Sequence, residues 1–113
     1  MLFIATQKNT RQTPRKVRLV ANTVKKLDLG MAIKQLSVME RRASLVVLKT
    51  LKQAIFNAIN NHGVKFEDLK IKEITIGTGP TYKRYQAVSR GRGHSILKRT
   101  CHVRVVLETK SKK

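Results

Sequence analysis

Two strand-like segments flank a long stretch without acidic residues, and this arrangement limits the folds open to the chain. Residues 69–76 (LKIKEITI) and 101–107 (CHVRVVL) are rich in the β-branched residues and alternation typical of β-strands. No acidic residue occurs between Glu73 and Glu108. The chain must therefore either carry a long basic loop between two strands or extend the strands themselves beyond the core.

The second arrangement is favoured by the residues within that stretch. Good strand formers are interleaved with the cations, and residues 89–93 (SRGRG) are typical of a turn. Each strand would run about 12 residues past the sheet, or roughly 40 Å, whereas a globule of this size has a radius of gyration near 13 Å. An isolated hairpin is marginally stable in water, so we expect a partner to order it. The alternative is a disordered basic loop.

The charge of the chain indicates what that partner is. Its 113 residues contain 25 Lys and Arg against 6 Asp and Glu, a formal net charge of +19. Such a charge predicts a polyanionic partner, with nucleic acid as the first candidate and an anionic membrane surface as the second. The length indicates one domain, and the lone Cys101 fits a reducing compartment. The apolar start at 2–6 is too short for a signal peptide or a membrane span.

The remaining segments predict a short strand and three helices. Residues 2–6 suit a strand, and Thr13-Pro14 opens a helix with an apolar stripe of Val17, Val20, Ala21, Val24 and Leu27. Ala32, Ile33 and Leu36 suggest a short second helix. The capping-box pattern at 37–40 predicts a long third helix, which buries Val47, Leu48, Leu51, Ala54, Ile55, Ala58 and Ile59 and ends at Gly63. A change of phase near Glu73 predicts a bulge.

Catalytic and metal-binding interpretations find little support. Cys101 and His102 are consecutive in a strand, so their side chains point to opposite faces and cannot form a thiolate–imidazole pair. One Cys and three separated His do not match a zinc site. Glu67-Asp68 is better explained as a solvated turn, and Gly91-Arg92-Gly93 lacks the setting of a phosphate loop. We therefore expect no catalysis, no metal and no cofactor.

The sequence gives weaker support to two other kinds of binding protein, a DNA binder and a membrane binder. A helix-turn-helix DNA binder would need residues 31–36 as its recognition helix, but these are mostly apolar, with Lys34 as the one cation. A membrane binder would need an exposed amphipathic helix, whereas the apolar stripes here are required by the core. Both remain alternatives. A DNA binder would prefer duplex DNA to structured RNA, and a membrane binder would prefer acidic vesicles to structured RNA.

Several motifs together are similar to those of one family. They are TPRKVRLVA at 13–21, AIFNAINNHG at 54–63, GP-x-x-KR at 79–84, and GRG with LKRTCHVRVV within 91–106. In order and spacing the chain resembles bacterial-type ribosomal protein twenty-two of the large subunit, over roughly residues 8–108. The resemblance implies an α+β fold, in which three helices pack on a small three-stranded antiparallel sheet and a long β-hairpin protrudes.

The resemblance also implies the division of the chain and its role. A single domain would have a globular body (1–77 and 100–109), an extended hairpin that we call the arm (about 78–99), and a basic tail (110–113). The protein would be a structural constituent of the large ribosomal subunit that binds several domains of its RNA and supports early assembly. The arm would line the peptide exit tunnel near protein four and the nascent polypeptide. The ribosome would be cytoplasmic, with an organellar one as the alternative.

Residues matching family positions or fitting RNA contact are spread over the first helix, the arm and the adjoining strand. They are Arg11, Arg15, Lys16, Arg18, Tyr82, Lys83, Arg84, Tyr85, Arg90, Arg92, His94, Lys98, Arg99 and His102. The tyrosines suit stacking on bases or riboses. The tunnel-lining tip would comprise Ala87, Val88, Ser89, Arg90, Gly91 and Arg92. The family usually has Pro-Arg-Ala where this chain has Ala87-Val88-Ser89, so the tip lacks one cation and a rigid proline.

Overall fold

The chain folds around a three-stranded antiparallel sheet. The computed structural model describes residues 2–88 and 92–110, with side chains at 2–83 and 97–110. The strands are β1 (Leu2–Thr10), β2 (Leu69–Val88) and β3 (Arg92–Thr109), in the order β1-β3-β2, so β3 lies in the middle. β2 and β3 pair from Leu69 opposite Thr109 to Val88 opposite Arg92. The extended-strand hypothesis is thereby confirmed.

Three helices cover one face of this sheet. They are α1 (Pro14–Val24), α2 (Leu29–Val38) and α3 (Arg42–His62), followed by a 3-10 turn at Phe66–Asp68. α1 and α3 pack on the sheet, and α2 packs on α3. The α+β architecture expected from the sequence is confirmed.

The start of α1 and the end of α3 lie where the sequence predicted them. Thr13 is the N-cap of α1 and Pro14 its first residue, as predicted, because proline has no N–H to leave unpaired there. Gly63 ends α3 with a left-handed φ of +66° and donates its N–H to the Ile59 carbonyl. α1 ends at Val24, so Leu27 lies beyond it and is exposed.

The capping box predicted at 37–40 is wrong. Ser37 lies in the last turn of α2, where its hydroxyl donates to the Lys34 carbonyl. The chain is extended at Met39, and α3 begins only at Arg42, with Arg41 as its N-cap. The hydroxyl of Ser44 donates back to the Arg41 carbonyl at 2.6 Å. Serine competes for nearby carbonyls in several conformations, so its sequence position alone did not identify the helix start.

The core lies between the helices and the inner face of the sheet. The predicted α3 face is buried apart from Ile59, which is partly buried. In the predicted strand 101–107, the alternate residues Cys101, Val103, Val105 and Leu107 have no measurable exposure. The bulge predicted near Glu73 is present, since Ile71 pairs with Leu107 and Glu73 with Val106, leaving Lys72 unpaired in the ladder.

The molecule is elongated along β2 and β3. Its extents are 69 × 25 × 20 Å and its Cα radius of gyration is 17.4 Å. A compact chain of this length would have a radius near 13 Å. Thr81–Lys83 and Leu97–Arg99 are exposed, whereas Thr100 and Cys101 are buried. The paired strands therefore leave the core at Thr100 and continue outward.

Candidate nucleic-acid interface

A basic groove lies where the paired strands leave the core. It has a volume of about 1170 Å³ and is bounded by the end of β1, the starts of α1 and α3, and the first exposed residues of β2 and β3. Its charged lining residues are all cations: Arg11, Lys16, Arg41, Arg42, Lys98 and Arg99. Tyr82 and Leu97 supply an apolar wall. We call this surface the basic groove.

Two helix N-termini border the basic groove, and neither is neutralised. The first turns of α1 and α3 contain no acidic residue, and neither N-cap makes a side-chain cap hydrogen bond. A helix N-terminus has a partial positive charge and unpaired N–H groups. Arg41 and Arg42 add full positive charge at the start of α3, which is unfavourable for the helix alone. A bound anion such as phosphate would compensate both the partial charge of the helix N-terminus and the charge of the two arginines.

The loop before α1 holds the two helix starts together. The Gln12 side-chain amide donates to the Arg42 carbonyl at 3.4 Å. The Thr50 hydroxyl of α3 donates to the Val46 carbonyl at 3.0 Å and lies 3.4 Å from the side-chain oxygen of Gln7 on β1. These contacts connect β1 and its following loop to α3 and keep Arg11 and Arg42 on one surface.

The structure brings a subset of the predicted residues into the basic groove. Arg11, Lys16, Tyr82, Lys98 and Arg99 all line it. They come from three separate parts of the chain, and Tyr82 and Lys98 are direct partners in the β2–β3 register. An aromatic ring next to a cation suits a nucleotide, because the ring can stack on a base while the cation meets phosphate.

Three predicted residues of the body lie outside the groove. Arg15 is exposed on α1. Arg18 donates from its guanidinium to the Ile76 carbonyl at 3.0 Å and so also fastens α1 to β2. The His102 Nδ1 accepts the backbone N–H of Asn9 at 3.1 Å, which leaves Nε2 as its remaining polar atom.

The outer part of the hairpin is described by its backbone. Lys83 is exposed on β2 opposite Leu97. The side chains of Arg84, Tyr85, Ala87, Val88, Arg92 and His94 lie outside the described residues, although their backbones belong to β2 and β3. Ser89, Arg90 and Gly91 of the predicted tip lie wholly outside the described residues, as does the tail from residue 111.

Sequence reasoning missed Arg41 and Arg42. Their role depends on α3 starting at Arg42, and the mistaken capping box placed the helix start before them. The signal that could have found them is the acid-free run Arg41-Arg42-Ala43-Ser44 ahead of a long apolar stripe. A second, smaller basic concavity of about 380 Å³ lies at the other end of α1, lined by Lys25, Lys26 and Lys72 together with Glu73.

Other chemistry finds no site among the described residues. No group of three His, Cys, Asp or Glu side chains within 2–83 and 97–110 could hold a metal ion. Cys101 is a buried free thiol, and burial raises its pKa while the Arg18 charge acts in the opposite direction. A raised pKa makes a poor nucleophile at neutral pH. No helix in the described part of the chain is long and apolar enough to cross a membrane.

Comparison with known proteins identifies close relatives over nearly the whole chain. Residues 5–108 match the family described as ribosomal protein L22p/L17e. A large ribosomal subunit protein uL22 from Mesoplasma florum is 43% identical over 97 residues, which cover 86% of this chain and 87% of the relative. The uL22 of Mycoplasma mobile is 42% identical over 106 residues, covering 94% and 96%. That of Mycoplasmopsis agalactiae is 43% identical over 104 residues, covering 92% and 91%.

Proposed function

The chain belongs to the ribosomal protein L22p/L17e family, and from that premise we propose that its basic groove and arm bind large-subunit ribosomal RNA. As a member of this family it is a structural constituent of the large ribosomal subunit and not an enzyme. The resemblance in sequence further supports a role in early subunit assembly and a place for the arm along the peptide exit tunnel. Protein four and the nascent polypeptide are the proposed neighbours there, and the ribosome is proposed to be cytoplasmic.

One observation carries the RNA-binding proposal. The basic groove gathers cations from the loop after β1, from the starts of α1 and α3 and from the base of the hairpin, and no acidic residue is among its lining residues. Two helix N-termini open onto the same surface. Assembling so many like charges on one surface is unfavourable in the free protein, and polyphosphate is the ligand that compensates them.

The arm extends this surface outward. Tyr82, Leu97 and Lys98 are exposed at its base, and the register continues to Val88 opposite Arg92. A two-stranded ribbon presents both edges and both faces to a surrounding ligand. We propose that RNA packs around it on all sides, through backbone contacts and stacking more than base-sequence readout. The tip contact with the tunnel wall is proposed from the resemblance alone.

Salt dependence of binding tests the basic groove. In a double variant, Arg41→Gln with Arg42→Gln, binding to a large-subunit RNA fragment should lose affinity. The slope of log K against log salt should become less steep by about two, because each lost phosphate contact removes about one unit. The measurement is a fluorescence or filter-binding titration at several salt concentrations.

A charge-matched control distinguishes binding at the basic groove from non-specific electrostatic attraction between the positively charged protein and RNA. Lys34→Gln with Lys65→Gln removes the same charge from exposed positions outside the basic groove. We expect this control to change the slope much less. Equal slopes in the two variants would show that net charge, and not the basic groove, governs binding. Duplex DNA and acidic vesicles as competitors test the rival classes, and preference for either would contradict an RNA ligand.

A further inference from the structure

Both strands that flank β3 bulge within two residues of each other along β3. On β1, Lys8-Asn9 stands opposite the single residue His102, and on β2, Gly79-Pro80 stands opposite the single residue Thr100. A bulge bends its strand and increases the local twist. We therefore expect two bulges on either side of one central strand to bend the sheet where the hairpin leaves the core.

The β1 bulge is closed by a side chain of the central strand. Asn9 adopts a left-handed φ of +57°, a conformation that asparagine tolerates better than most residues. Its N–H no longer fits the ladder and is donated to His102 Nδ1 at 3.1 Å. β1 then ends at Thr10, one residue further.

The β2 bulge is closed in the same manner from the other side. Thr100 is 1% exposed, and its hydroxyl donates to the carbonyl of Pro80, a residue of the bulge. Proline has no N–H, so this position leaves no donor unpaired. Thr100 and His102 thus use their side chains to bond the backbone of both neighbouring strands.

Gly79 packs against the side chains of Thr100 and His102 so closely that a Cβ atom could not be accommodated. A Cβ at Gly79 would lie 2.5 Å from Thr100 Oγ1, 3.3 Å from the Thr100 carbonyl carbon and 3.3 Å from His102 Cε1. The first distance is well inside van der Waals contact, and the second involves backbone that cannot move away freely. Any larger residue at this position would therefore displace Thr100, His102 or β2 itself.

We propose that Asn9, Gly79, Pro80, Thr100 and His102 form an arm joint, which sets the direction of the arm relative to the body before any ligand binds. The side chains of Thr100 and His102 lock the two bulges, and Gly79 permits them to pack together. These residues are positioning residues: they aim the arm, whereas residues further out contact the ligand. The proposal concerns the free protein and so stands or falls separately from RNA binding.

Residual dipolar couplings of the free, full-length protein test the arm joint. They are measured for backbone amides of the body and of the paired residues nearest the joint, 81–86 and 94–99, because the outer hairpin is expected to be ordered only by a partner. In the wild type we expect a single alignment tensor to fit both sets. In Gly79→Ala we expect the arm couplings to shrink and to need a second tensor, while core amides such as those of Val103 and Val105 keep their chemical shifts.

A neighbouring glycine provides the matched control. A Cβ at Gly77 would meet only His102 Cβ within 4 Å, at an ordinary 3.9 Å, so Gly77→Ala should retain the single tensor. Thr100→Val keeps the side-chain volume but removes the hydroxyl, and it serves if Gly79→Ala fails to fold. It should produce the same second tensor. Two tensors already in the wild type, or one tensor in both joint variants, would overturn the proposal.

Discussion

Cys101 illustrates how one residue in the central strand serves packing alone. It has no measurable exposure, faces the helices with Val103 and Val105, and is the neighbour of Thr100 in the arm joint. Burial raises the pKa of its thiol, because the charged thiolate would be poorly solvated there. Cys101 is therefore a small core residue, and a neutral buried thiol is a poor nucleophile.

The raised pKa makes stability depend on pH in the alkaline range. Above about pH 8.5 the thiol ionises in the unfolded chain but stays neutral in the folded one. Ionisation therefore favours unfolding, and this contribution to the free energy of unfolding is present below that pH and lost above it. We expect the wild type to lose more stability than Cys101→Ala between about pH 7 and about pH 9.5. Urea denaturation followed by circular dichroism measures this, and parallel losses would contradict it.

At the scale of elements, two glycines without neighbours near their missing Cβ have opposite roles. Gly30 lies in the first turn of α2, and Gly63 ends α3 with a left-handed φ; neither would bring a Cβ within 4 Å of another atom. Packing therefore cannot distinguish them, and only backbone conformation does. Alanine is favoured in a helix but strained at positive φ.

Alanine substitution should accordingly change stability in opposite directions at these two sites. Gly63→Ala should lower the free energy of unfolding by about 1 kcal/mol because of the strained φ. Gly30→Ala should raise it by up to about 1 kcal/mol, since alanine loses less backbone entropy on forming α2. Each variant is the other's control in the same denaturation experiment. A loss at Gly30 would show that α2 does not have ordinary helical geometry at its start.

The starts of α1 and α3 lack the residues that would best stabilise a helix N-terminus, and they add positive charge to the molecular surface instead. Neither first turn has an acid, and α3 begins with two arginines. A helix selected for stability alone would carry Asp or Glu there. Arg41, Arg42 and the start of α1 line the basic groove, so their charge agrees with the proposed RNA ligand and not with the needs of the helix.

At the scale of the whole molecule, length and charge are linked. The long dimension of 69 Å comes from β2 and β3, and the core occupies the end where the helices pack. The body holds the core, so the arm adds reach and cationic surface without adding core. Carried by two paired strands, this reach is stiffer than a single tail would be.

Shortening the arm should leave the body folded. If residues 80–98 are replaced by Asn-Gly, we expect a cooperative denaturation transition to persist. The radius of gyration should fall from 17.4 Å toward about 13 Å. RNA binding should weaken but remain, through the cations of α1 and α3. Small-angle X-ray scattering and the RNA titration measure these changes, and loss of cooperative folding would show that the arm supports the core.

The sequence by itself determined the features that depend on short-range pattern. The apolar faces of α1, α3 and β3, the cap at Thr13, the end at Gly63 and the long hairpin all follow from periods and turn residues within a few positions. The net charge likewise indicated a polyanion. Tertiary structure alone decided the start of α3, the basic groove and the arm joint. The groove joins residues from β1, α1, α3 and the hairpin, and the bond from Asn9 to His102 spans most of the chain. Such sites depend on where distant segments meet in space, and no local pattern in the chain encodes that meeting.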